Sequence, residues 1–492
     1  MFTALDWAIL VLYMLGTIAV GLWAARGGKN FNDYMFGGGR VPWIAVGISI
    51  IATSVSATTF LGAPADVFGV NMTFLMFQFG ALISIFVVGF VFIPQFRKAG
   101  IVSAYELLER RFSVSVRRVA ALFYSLHLLL RTGILLYAPS IVLASILGIQ
   151  LWEAIMLSAA VATLYTWYGG IKSVIWTDVL QFFVFFGAGV LVLVIVAHAV
   201  GGANHLYQAA VSAGKTHWID FSLDLSKDRT LISAGLAYAV LEVAIRGCDQ
   251  QFVQRYLSCQ GISEANRSSI LSMVLGALVS LLFYWVGAAL FVYYRVAGQG
   301  NLPAEIGMND VFPHFILNDL PPGITGLVVA AIYAAAMSSL SSAISALANT
   351  TESDILHKHR QAPGNLRRAK WFSLAWAAAG ILAALIAAKT QGSLLKNAVF
   401  FTGLFTGPLL ALFVLAFFRP KTNPHAVLTG ALLGMASLIL FNRIPILPSW
   451  EPPFAGVISW PWNPGIAMSV TLLCAILLDV LLPRRRHIDI TV

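Results

Sequence analysis

Residues 47–69 read GISIIATSVSATTFLGAPADVFG, an apolar run of helix length broken by Thr53, Ser54, Ser56, Thr58 and Thr59 and then by Gly62, Ala63 and Pro64. An unwound backbone at bilayer depth is tolerated only where its carbonyls and amides line a cavity or meet protein partners. A second run of this kind, AYAVLEVAIRGCDQQFVQRY at 237–256, is interrupted at Arg246, Gly247 and Asp249, five apolar segments later. Corresponding interruptions in two halves of a chain point to an inverted-repeat transporter with its binding sites at the breaks.

Composition supports a membrane solvent. Of the 492 residues 59% are hydrophobic and 11% charged, and the mean hydropathy is +0.83, whereas a soluble domain carries about 25% charged residues. Apolar runs near the ~20 residues that a spanning helix needs recur along the whole chain. Thirteen are expected, at roughly 4–25, 43–68, 73–95, 119–147, 151–169, 174–200, 230–256, 268–295, 322–348, 371–388, 395–418, 425–442 and 463–482. The short alternating segments of an outer-membrane barrel are absent. MFTALDW at the start has no basic stretch before its apolar segment, so the first run is expected to be a retained helix. Cys248, Cys259 and Cys474 show no metal-ligand or pairing spacing.

The net charge of +10 raises the question of a nucleic-acid partner. With the N-terminus outside, most of the 31 Lys and Arg fall in inside segments, among them Lys29, Arg40, Arg117, Lys172, Arg255, Lys358, Arg360 and Arg484 to Arg486. The outside segments hold fewer: Lys215, Lys227, Arg229, Arg295, Lys389, Lys396 and Arg443. That asymmetry is the positive-inside bias of an odd number of spans, with the C-terminus cytoplasmic, and excludes nucleic acid as its explanation.

Arg131, Asp178, Glu242, Arg246 and Asp249 fall within spans, where an ionisable group normally faces a cavity or a partner. Glu242 and Arg246 are four apart and suit an ion pair on one helix face as well as a pathway. Arg131 has no acid within a helical turn, which points to a substrate role. AAAMSSLSSAIS at 334–345 concentrates Ser338, Ser339, Ser341, Ser342 and Ser345 in one span. Such a group serves either sodium, a hard cation that takes oxygen ligands, or close helix packing through small residues.

FNDYMFGGGRVPW, ATSVSATTFLG, SAYELLERRF, YTWYGGIKSVIWTDVLQ, VQRY and AAAMSSLSSAISALANTTESDI, in that order, resemble the sodium/solute symporter family across nearly the whole chain. The resemblance implies an all-α membrane protein of the leucine-transporter type, a single domain over 1–492. Its first helix would be peripheral, its two five-helix repeats would occupy about 43–200 and 230–418, and two further peripheral helices about 425–482. It implies a sodium site made by the carbonyls of Ala52, Val55 and Ala335 with the hydroxyls of Ser338 and Ser339. It also implies a second sodium site, present in some members, at Asp178, Ser338, Ser341 and Ser342. The sialic-acid branch implies substrate contacts at Ser54, Ser56, Thr59, Phe74, Gln78 and Arg131, with serine at 54 where threonine is expected. RTGILLYAPSIVLASILGIQLWEA and GCDQQFVQRYLSC are similar to the animal monocarboxylate and vitamin symporters of the family.

The expectation is therefore a sodium-coupled importer of a small carboxylate such as a sialic or other organic acid. It would work by alternating access as a monomer in a cell inner membrane, without a cofactor. Nine scattered histidines and no nucleophile–base or metal cluster argue against an enzyme. A neutral or zwitterionic substrate (sugar, proline), a sodium channel and a sensor on the same scaffold are the alternatives.

Overall fold

The computed structural model describes residues 2–26, 30–356, 365–389, 394–442, 451–454 and 456–482. Lys29, Lys358, Arg360, Arg443 and Arg484 to Arg486, and the side chains of Thr58 and Lys396, lie outside that description. The described residues are helical, with no strand among them.

In chain order the main helices are α1 (Ala4–Ala24), α2 (Trp43–Ser54), α3 (Ala57–Gly69), α4 (Phe77–Val87), α5 (Val114–Leu147), α6 (Leu151–Ala199) and α7 (Tyr238–Cys248). There follow α8 (Gln250–Ser258), α9 (Ile262–Phe291), α10 (Ile324–Thr350), α11 (Leu366–Ala387), α12 (Leu394–Phe418), α13 (Pro424–Ser437) and α14 (Asn463–Leu481). Nine described helices are long and apolar enough by themselves to cross a bilayer, or ten with one bent pair counted as a span. The thirteen expected runs differ from this partly because breaks cut several of them into shorter helices.

Two breaks fall where polar residues interrupt the apolar pattern, but not at every residue expected. α2 stops at Val55 (φ −81°, ψ 109°), and Ser56 caps α3 by accepting a hydrogen bond from the Thr59 amide at 3.4 Å. Gly62, Ala63 and Pro64 do not interrupt α3, which runs through them. Gly287 of α9 packs against this proline turn so closely that a Cβ there would lie 2.5 Å from the Pro64 carbonyl oxygen. In the other half, α7 continues through Arg246 and Gly247, and the break comes at Asp249 (φ −76°, ψ 124°). The Asp249 side chain caps α8 by accepting from the Gln251 amide at 2.8 Å. Asp and Ser hold these breaks because their short oxygens replace the carbonyl partners that the first amides of a helix lack.

The expected runs at 151–169 and 174–200 appear as one element, α6, hinged at Gly170 with φ +59° and ψ −148°. Only glycine adopts that conformation readily, and a Cβ there would sit 2.1 Å from the Tyr34 carbonyl oxygen. α1 is anchored by Asp6. The carboxylate closes a capping box with Thr3 and accepts from the amides of Gly323 and Gly326 at 2.8 and 2.7 Å, joining α1 to the start of α10. α10 is the central helix, packed by α1, α5, α6 and α11 and buried along almost its whole length. Its alanines and serines permit that close approach.

Candidate functional site

The end of α2 leaves carbonyls without helical amide donors, and the serines of α10 lie directly against them. The Ser338 hydroxyl is 2.9 Å from the Ala52 carbonyl oxygen and 3.1 Å from that of Ala335, and the Ser339 hydroxyl is 3.3 Å from the Ala335 carbonyl. A hydroxyl donates only one hydrogen, so Ser338 can satisfy one of its two carbonyls at a time. Ser338 and Ser339 are buried. Four of the five expected first-site residues are thus brought together as neutral oxygen donors, a set that suits a monovalent hard cation. Val55 is the residue at which the helix stops, and no hydrogen bond ties it to the serines among the described residues.

Deeper along the same interface lies a buried ion pair that sequence reasoning missed. Arg255 was assigned to an inside surface segment, but its side chain is fully buried. Its Nη2 donates to Asp178 Oδ2 at 2.8 Å and to the Ser342 hydroxyl at 2.6 Å, its Nε to the Ser49 hydroxyl at 2.8 Å, and its Nη1 to the Gln251 carbonyl at 2.8 Å. Ser49 in turn donates to Asp178 Oδ2 at 2.6 Å. Asp178 thus has a counter-charge in the structure, the guanidinium of Arg255 from the helix after the second break. Of the residues expected at a second sodium site, Asp178 and Ser342 meet through Arg255, and the Ser341 hydroxyl donates back to the Ser338 carbonyl at 3.1 Å. Asp178 Oδ1 is buried and accepts no hydrogen bond among the described residues. The signal for this pair was present in VQRY, which places Arg255 one and a half turns past the Asp249 break, still at the depth of the serines.

The expected substrate residues fall at the end of α2, at the start of α3, around the start of α4 and on α5. Ser54 donates to the Ile50 carbonyl at 2.9 Å, and the hydroxyls of Ser56 and Thr59 are 3.5 Å apart. Phe74 stacks on Phe77 with ring centroids 4.3 Å apart, and Gln78 donates to the Ser280 hydroxyl at 2.9 Å. Above Phe74 the Arg229 guanidinium lies 5.5 Å from the ring centroid, held bidentately by Asp66 at 2.6 and 3.0 Å.

Arg131, on α5, is half-buried and has no hydrogen-bond or ion-pair partner among the described residues. The acids within its electrostatic reach are engaged by other groups. Glu242 pairs with Arg246 at 2.7 Å and accepts from Tyr238 at 3.0 Å. Asp249 accepts from the Tyr124 hydroxyl at 2.7 Å and from the Gln251 amide. Arg131 makes no hydrogen bond among the described residues, although its charge acts on the Asp249 carboxylate, and its planar guanidinium is able to fork onto a carboxylate.

At the far end of α10 a second ionic layer closes the interior. Arg117 donates to Asp354 at 2.8 Å and to Glu109 at 2.6 Å, and Ser103 donates to Asp354 as well.

Comparison with known proteins identifies the family and the fold. The sodium:solute symporter family matches residues 34–436. The chain is 32% identical over 448 residues to the sodium/sialic acid symporter of Proteus mirabilis, covering 89% of each chain. It is 30% identical over 444 residues to the human sodium/iodide cotransporter, covering 88% of this chain and 69% of that protein. Among solved structures it superposes on a substrate-bound, outward-open Na+-coupled sialic acid symporter with a TM-score of 0.86 at 29% identity, over 98% of this chain and 99% of that one.

Proposed function

The chain belongs to the sodium:solute symporter family, and from that premise we propose that it imports a small carboxylate together with sodium by alternating access. One arrangement carries the reading: the buried oxygen group of Ser338, Ser339, Ala52 and Ala335 is built on α10, which packs against α5, the helix of Arg131, a cation with no hydrogen bond or ion pair among the described residues. Sodium would bind the carbonyls of Ala52, Val55 and Ala335 and the hydroxyls of Ser338 and Ser339. The substrate would lie against Ser54, Ser56, Thr59, Phe74 and Gln78, with its carboxylate on Arg131. The relatives named for sialic acid and iodide both carry anions, and sialic acid shares the carboxylate that a guanidinium grips with two parallel hydrogen bonds.

Finer features belong to the same proposal. The breaks at Val55 and Asp249 support two repeats over 43–200 and 230–418 within thirteen spans. The odd count would put the N-terminus outside and the C-terminus in the cytoplasm of an inner-membrane monomer, which reporters fused to the two ends would read. A second sodium at Asp178, Ser338, Ser341 and Ser342 is supported by the unpartnered Asp178 Oδ1, and would share the carboxylate with Arg255.

Counterflow of labelled solutes in proteoliposomes tests the substrate class, and the current recorded during their sodium-driven net uptake tests the stoichiometry. A carboxylate is expected to exchange, and with two sodium ions per monoanion its transport carries a current. Exchange of neutral sugars or proline but of no acid would overturn the substrate class. Flux of a proven monoanion without current would overturn the second sodium.

A further inference from the structure

Beside the end of α1 the molecule has a cavity of about 650 Å³, lined by Trp23, by Gly37, Gly38 and Arg40 of the segment before α2, and by Lys172 and Trp176 just past the Gly170 hinge of α6. Three successive glycines, Gly37, Gly38 and Gly39, have φ of +60°, +71° and +68°. Their left-handed turn folds the chain around the cavity, and a Cβ at Gly37 would fall 2.6 Å from a Val41 methyl. Glycine thus keeps one wall as bare backbone.

The other walls combine charge and aromatic rings. Arg40 and Lys172 both line the cavity, and neither makes a hydrogen bond or ion pair among the described residues. Trp23 and Trp176 meet edge to face with centroids 5.6 Å apart, and Trp23 is 54% exposed. One acid also lines the cavity, Asp33, whose Oδ1 lies against Gly38. Tryptophan at a helix end marks the headgroup level of a bilayer, and basic pockets between membrane helices hold lipid phosphates.

We propose that this cavity binds the phosphate of an anionic phospholipid headgroup, with Arg40 forking onto phosphate oxygens, Lys172 adding a second positive charge, and the tryptophan pair lying beside the glycerol and upper acyl chain. Because the site joins the end of α1, the segment entering α2 and the α6 hinge, an occupied headgroup braces the three against one another. Neither sodium nor the transported solute takes part.

The test uses the full-length protein purified in detergent. Thermal unfolding is followed with phosphatidylglycerol, with phosphatidylcholine of the same chains, and with inorganic phosphate. Phosphatidylglycerol is expected to raise the midpoint where phosphatidylcholine does not, and Arg40→Gln with Lys172→Gln to remove that shift. If inorganic phosphate alone reproduces the shift and the double variant abolishes it, the phosphate site stands and its source is soluble rather than lipid. The charge-keeping pair Arg40→Lys and Lys172→Arg should retain the shift, which guards against a folding defect in the first variant. Lipid retained by the unmodified protein, read by native mass spectrometry, should be enriched in phosphatidylglycerol. Equal shifts from the two lipids, or a full shift in the Arg40→Gln, Lys172→Gln protein, would overturn the proposal.

Discussion

Replacing Ser338 and Ser339 together by alanine is expected to uncouple uptake from sodium while the protein still folds. These hydroxyls lie against the carbonyls of Ala52 and Ala335, where α2 ends and α10 passes it. Dehydrating sodium requires the site to replace its water oxygens, and two of the five proposed ligands would be gone. Coupling between bound ion and bound solute typically amounts to about 1–3 kcal/mol, so uptake at limiting sodium should fall by ~5- to 150-fold. The fold should survive, because alanine keeps the close packing of α10 and each lost hydroxyl hydrogen bond is worth only about 1 kcal/mol. Uptake per unit of folded transporter, measured across a sodium series, decides the matter. An unchanged sodium dependence in the double variant would remove these serines from the ion site.

The second large effect concerns Arg131. Arg131→Lys keeps the charge but loses the planar fork, and an ammonium on a flexible stem cannot make the same two parallel bonds to a carboxylate. A hydrogen bond to a charged group is worth about 1.5–3 kcal/mol, so substrate affinity should weaken by ~10- to 100-fold. Amidation of the substrate should weaken binding to the unmodified protein to a similar degree, and should cause little further loss in the variant. If the amide binds as well as the acid, Arg131 is not the carboxylate partner.

The sequence shows the breaks in α2–α3 and α7–α8 because hydroxyls and charges are rare in apolar helices and stand out against them. It locates them less well than it detects them. Pro64 suggests an interruption, but α3 passes through it, since a membrane helix accommodates a proline when a neighbour such as Gly287 packs closely there. Gly170 conceals a hinge inside one helical element, because a single glycine in a long apolar run carries little signal until its φ is known. The proposed first sodium site is suggested in the sequence by serines that cluster within one helix. The Asp178–Arg255 pair is not, because the partners are 77 positions apart on different helices and only the fold brings them within 2.8 Å. A local count of charges places Arg255 at the surface, whereas the fold buries it with four hydrogen-bonded neighbours around its guanidinium. Removing either member would strand a buried charge, a loss of about 3–5 kcal/mol, so variants at Asp178 have to be checked for folding before their transport is interpreted.

Coupling itself is most directly measured as accumulation of a labelled carboxylate in proteoliposomes under an imposed inward sodium gradient. The membrane potential alone contributes ~2.3 kcal/mol per charge per 100 mV to each entering sodium ion. The account predicts that the solute rises above its outside concentration only while the sodium gradient lasts, and drains when a sodium ionophore collapses it. Accumulation to the same level in choline, or simple equilibration regardless of sodium, would contradict it.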